Sequence, residues 1–106
     1  MVSTYIEKIS SNKCGITIDC DDDMIRVSYH HPFTGTINNI NFLNEENSFE
    51  KIRCVVCDKF DNEIRFMNQR KVSQKFITSM EELKTEMLRI IDSHQDELEI
   101  AILHMS

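Results

Sequence analysis

Glycine and proline are scarce in this chain, two and one in 106 residues. The two glycines leave no glycine-rich phosphate loop beside any candidate base, and the turns must rest on Asn, Asp and Ser. Long apolar runs are missing too: none exceeds four residues, so no segment can span a bilayer. The first ten residues carry Glu7 and Lys8 where a signal peptide would need an unbroken apolar core. That predicts a cytoplasmic protein whose four cysteines are reduced thiols. With 41% hydrophobic and 28% charged residues, the composition is that of a folded chain. Its length suits a single α+β domain over 1–106, able to bury about two-thirds of its unfolded surface without staples.

Positive charge is also in short supply: 12 Lys and Arg against 18 Asp and Glu, a net −6. Residues 1–50 hold eight acids and three bases, residues 51–75 three acids and seven bases, and residues 76–106 seven acids and two bases. A nucleic-acid binder wants a net basic footprint, so direct nucleic-acid binding is not expected.

What is present is periodic. Met80, Leu83, Met87, Ile90, Ile91 and His94 recur at helical spacing, within an arc of roughly 100°. Either Thr78 or Ser79 can cap such a helix, with Glu81 or Glu82 as the reciprocal carboxylate. The pattern predicts one amphipathic C-terminal helix over about 79–94, with Glu81, Glu82 and Glu86 facing water. Leu98, Ile100 and Ile102 then alternate with Glu97, Glu99 and Ala101, which predicts a closing strand over about 97–105.

Upstream, alternation dominates. Val2–Ile9 reads as a strand. Cys14–Cys20 and Ile25–His31 form the two arms of a hairpin around Asp21, Asp22 and Asp23. Thr36–Leu43 reads as a strand with a bulge at Asn38 and Asn39. Ser48 could cap a short helix, but Ile52-Arg53-Cys54-Val55-Val56-Cys57 is rich in β-formers and predicts a strand. Glu63–Met67 and Val72–Ile77 follow as further strands. The expected fold is α+β, a mostly antiparallel sheet of about six to eight strands with the one helix packed on a face.

Candidate chemistry is sparse. Cys54 and Cys57 have zinc-knuckle spacing, and with His30 and His31 they make the alternative metal set. In an extended chain, however, positions three apart point to opposite faces, so no metal and no cofactor is expected. Asp19, Asp21 and Asp23 match the start of a calcium loop, but Met24 replaces its glycine and His30 its closing glutamate. His30 and His31 could serve a small enzyme, yet no nucleophile or oxyanion hole is legible beside them, so a catalytic role is not expected. Arg65, Arg70, Lys71 and Lys75 with Phe66 and Phe76 suggest a stacking face, but Phe66 shares the strand face of Ile64 and is expected in the core.

The best reading is a small acidic protein-binding module. Its contact carboxylates would be Asp19, Asp21, Asp22, Asp23, Glu82 and Glu86, meeting a protein with a basic surface. An intracellular inhibitor or immunity protein against a toxin, such as a basic nuclease, fits that chemistry. The alternatives are a phage-encoded inhibitor of a nucleic-acid-guided defence enzyme, a nucleic-acid-binding domain using the basic segment 51–75, and the small enzyme on His30 and His31.

Overall fold

A computed structural model of the chain describes residues 7–11, 15–20, 24–43 and 47–105. Four strands come first: β1 (Glu7–Ser11), β2 (Ile16–Cys20), β3 (Met24–His30) and β4 (Ile37–Leu43). Three helices follow: α1 (Phe49–Gln69), α2 (Gln74–Ser93) and α3 (Gln95–Met105). The strands pair antiparallel in the order β1-β2-β3-β4. The fold is α+β, with the sheet first and the helices after it.

Alternation builds the inner face of the sheet. Ile16, Ile18 and Cys20 on β2, Ile25, Val27 and Tyr29 on β3, and Ile40 and Phe42 on β4 are buried in one core with the helices. Their neighbours Thr17, Asp19, Arg26, Ser28, Asn39 and Asn41 form the opposite, polar face. The predicted hairpin is present: Ile18 pairs with Val27 and Cys20 with Ile25. Gly15, at φ +62, leads into β2 where a Cβ would collide with the imidazole of His30.

The helix layer overturns the expected sheet of six to eight strands with one helix. Residues 52–57 and 63–67 belong to a single helix, α1, not to two strands. Ser48 caps it, accepting a hydrogen bond from the Lys51 amide at 3.1 Å. β-Branching costs a helix at most about 0.7 kcal/mol per residue. Burying a large apolar side chain returns about 1.5–3 kcal/mol. Ile52, Val56, Phe60 and Met67 are all buried, with Ile64 packed against them, so the stripe outweighs the local preference.

The one predicted helix, expected over about 79–94, is α2 and begins earlier, at Gln74, so residues 72–77 are not a strand. Ser79 therefore lies inside α2, where its hydroxyl donates to the Lys75 carbonyl at 2.9 Å. The stripe itself holds: Ile77, Met80, Leu83, Met87, Ile90 and Ile91 are buried. Glu86 departs from the expectation of a water-facing carboxylate, being only 7% exposed.

The closing strand at 97–105 is helix α3 instead. Leu98, Ala101 and Ile102 satisfy helical spacing as well as the alternation that suggested a strand. Leu98 and Ala101 are fully buried, and Asp96 and Glu97 sit in the first turn, where the helix dipole favours them. No bulge interrupts β4, since Ser28 pairs with Asn39 and Tyr29 with Asn38 in unbroken register. The predicted strand at Val2–Ile9 falls partly outside the described residues.

Candidate functional site

The acidic residues singled out from sequence do not form one surface. Asp19 lies on the polar face of the sheet, opposite Arg26 on the neighbouring strand. Glu82 is exposed on α2, in the other layer. Glu86 is buried, its carboxylate accepting from Arg89 Nε at 3.0 Å and Nη2 at 2.6 Å. Asp21, Asp22 and Asp23 lie outside the described residues. Their flanking residues, Cys20 and Met24, sit at the end of the sheet where Met24 pairs with Leu43.

The metal set is likewise dispersed. Cys54 and Cys57 share one face of α1, because positions three apart are neighbours on a helix. Their thiols donate to Asp58 at 3.8 Å and Asp61 at 3.7 Å. His30 is exposed at the end of β3, and its neighbour His31 is buried. Among the described residues, no three potential ligands converge.

His31 instead ties the β3–β4 loop to α1. Its Nδ1 accepts the amides of Phe33 at 3.2 Å and Thr34 at 3.3 Å. That puts the ring proton on Nε2, which donates to Glu63 Oε1 at 2.8 Å. Both nitrogens are engaged within the protein, one by the β3–β4 loop and the other by α1. Beside it, the Tyr29 ring packs on Phe60 with centroids 4.8 Å apart. Among the described residues the buried Tyr29 hydroxyl makes no hydrogen bond of standard geometry, although the Asn38 side chain lies near it. Burial pushes its pKa above the usual phenol value; the Asn38 side chain partly offsets this and the Glu63 charge adds to it.

Helices α1 and α2 run as an antiparallel hairpin, tied by one ion pair in its middle and another near the start of α1. Lys84 Nζ lies 2.6 Å from Asp61, and Arg53 reaches Asp92 with Nε at 2.8 Å and Nη2 at 3.2 Å. A groove of about 620 Å³ runs here, past Asp61, Ile64, Lys84 and Leu88. Its acids and bases largely answer one another.

The two ends of the hairpin are different. Where α1 starts and α3 passes, a groove of about 390 Å³ is lined by Ser48, Phe49, Glu50, Glu99, Ile102 and Leu103. Leu103 is 73% exposed, and Ile100 beside it is also in water. Residues 47–53 and 92–103 together hold five acids and two bases. Sequence reasoning missed this groove because a strand would have placed Leu103 inside the sheet. The signal was present in Ile100 and Leu103, which fall off the helical stripe of Leu98, Ala101 and Ile102.

At the other end lies the turn between α1 and α2. The basic segment 51–75 is thereby divided: Lys51 and Arg53 sit near the start of α1, while Arg70, Lys71 and Lys75 flank the turn. Phe66, expected in the core, is exposed. Two positions apart on a helix means about 200° of rotation, so Phe66 and Ile64 face different ways. Searches against protein-family models, curated proteins and solved structures match nothing, so the chemistry of these surfaces alone carries the functional reading.

Proposed function

We propose that this chain is a small protein-binding module that captures a partner with a basic surface at the groove between α1 and α3. The observation that carries the reading is the apolar lining of that groove, Phe49, Ile102 and Leu103, next to the carboxylates of Glu50 and Glu99. Leu103 stands in water at a cost of about 25 cal/mol for each Å² of apolar surface that a partner could cover. The carboxylates favour a basic partner, speed its capture and reject acidic proteins.

The partner class that fits is a toxin with a basic surface, such as a nuclease, for which this chain acts as an inhibitor or immunity protein. A phage-encoded inhibitor of a nucleic-acid-guided defence enzyme would use the same chemistry. The test compares three chains against one isolated partner: wild type, Leu103→Asp, and the double variant Glu50→Gln with Glu99→Gln. Leu103→Asp should raise the dissociation rate and abolish inhibition. The double variant should slow association and flatten its salt dependence while leaving dissociation nearly unchanged. A partner that Leu103→Asp still holds at wild-type strength would place the binding surface elsewhere and remove the reading.

A further inference from the structure

We infer that the turn end of the α1–α2 hairpin binds single-stranded nucleic acid, with bases stacking on Phe66 and Phe33 and phosphates held by the surrounding cations. Three features meet there. First, aromatic rings stand in water: Phe66 is 48% exposed and Phe33 is 49% exposed. Second, cations are already placed on aromatic rings. The Arg70 guanidinium lies 4.2 Å from the Phe66 centroid, and Lys75 Nζ lies 4.9 Å from that of Phe76. Phe33 meets Phe76 edge-on at 5.0 Å, which brings the β3–β4 loop to this end of the helices. Third, the charge is of one sign. Residues 64–80 hold Arg65, Arg70, Lys71 and Lys75 and no acid. The nearest upstream carboxylates, Asp61 and Glu63, are held by Lys84 and His31.

The combination selects the ligand. A phosphodiester backbone needs cations, and an exposed base needs an aromatic ring beside it; this end offers both. A duplex buries its base faces in its own stack, so it could use the cations and not the rings. An acidic peptide could likewise use the cations alone. The net negative charge of the chain does not forbid the contact. The acidic end lies about 30 Å away along α1, several times the Debye length of about 8 Å at physiological salt.

The geometry also explains an oddity of α2. Its first turn carries no acid, although the dipole there favours one, and Ser73 makes no side-chain capping bond. An acid at that position would repel phosphate.

The test uses the full chain and fluorescence anisotropy with labelled oligothymidylate, oligouridylate and a duplex of equal length. Both single strands should bind more tightly than the duplex, and their relative affinities tell DNA from RNA preference. Phe66→Ala and Phe33→Ala should each weaken single-strand binding by roughly fivefold to a hundredfold. Because Phe33 also touches Phe76, Phe66→Leu serves as the second variant: it keeps an apolar side chain and should still lose most of the stacking. Lys71→Gln should reduce the slope of log K against log salt by about 0.7. Polyglutamate should fail to displace the single strand. The inference is overturned by equal affinity for duplex and single strand, by no single-strand binding at low salt, or by displacement with polyglutamate. It fails equally if the phenylalanine variants bind like wild type. None of these outcomes depends on a protein partner at the α1–α3 groove, so the two surfaces are tested separately.

Discussion

The two ends of the helical hairpin expose opposite charge and different kinds of apolar side chain. Around the start of α1 and along α3, carboxylates accompany aliphatic side chains, Ile100 and Leu103. Around the α1–α2 turn, cations accompany aromatic rings, Phe33 and Phe66. Between them Asp61 pairs with Lys84 and Glu86 with Arg89, while Arg53 pairs with Asp92 at the acidic end. An aliphatic side chain in a groove offers volume to be filled, which suits the side chains of a protein. An exposed ring offers a flat face, which suits a base. The difference therefore separates two partner chemistries on one small chain, and the length of α1, about 30 Å, keeps each field local at physiological salt.

The largest expected effect comes from breaking the frame that holds the ends apart. Phe60 is fully buried against Tyr29, where α1 meets β3. Phe60→Ala should cost about 3–5 kcal/mol in urea unfolding and weaken both ends together. Retained stability would mean that α1 is not anchored through this contact.

Next comes a change that should disturb one end only. His31→Ala strips a donor from Glu63 and an acceptor from the amides of Phe33 and Thr34, a loss of about 1–3 kcal/mol. The loop carrying Phe33 should loosen, weakening oligonucleotide binding while the α1–α3 groove keeps its partner. Amide exchange at residues 33–36 would report the loosening. Equal loss at both ends would make His31 a general core residue and not a local tie.

How much of this was legible depended on whether one periodicity fitted or two. In β2 and β3, Ile16, Ile18 and Cys20 against Ile25, Val27 and Tyr29 fit only a period of two, and the hairpin is there. The α2 stripe from Met80 to Ile91 fits only a helix, and it is buried. In α1, β-branched Ile52, Val55 and Val56 favoured a strand locally, while Ile52, Val56, Phe60, Ile64 and Met67 kept helical spacing over about four turns. The longer pattern won, because burial adds along the whole face and propensity acts residue by residue. In α3, Leu98, Ile100 and Ile102 suited a strand while Leu98, Ala101 and Ile102 suited a helix. Pattern alone could not separate them; packing against α1 and α2 did. Both candidate surfaces turned on these two segments. As strands they would have buried Phe66 and Leu103; as helices they leave both in water.

A smaller effect should set stability against binding at the basic end. Lys75→Glu puts an acid in the first turn of α2, where the dipole should stabilise the chain by about 0.3–1 kcal/mol. The same change reverses a charge beside Phe76 and should sharply weaken oligonucleotide binding. Thermal unfolding and anisotropy on one sample check the two signs. A variant that is both less stable and equally tight would contradict the account of the uncapped turn.

The smallest effect belongs to the ion-paired middle, and it is a matter of pH. The hydrogen bond from Lys84 holds the Asp61 carboxyl below its usual value of 3.8, and the same bond raises the Lys84 ammonium above its usual 10.5. For Asp61 the folded pKa lies below the unfolded one, so its contribution is present at neutral pH. It is lost as the pH falls from the usual carboxylate value through the folded one. For Lys84 the folded pKa lies above the unfolded one, so its contribution is present below pH 10.5 and is lost as the pH rises through the folded value. Asp61 is about half exposed and Lys84 partly so, which leaves the pair open to solvent, so each limb should be shallow and should flatten further in salt. Asp61→Asn should remove the shallow acid limb from urea midpoints measured between about pH 2 and 5. It should also leave Lys84 unmatched, extend the positive field toward the middle, and tighten oligonucleotide binding slightly at low salt. An acid limb unchanged in Asp61→Asn would mean that other carboxylates carry it.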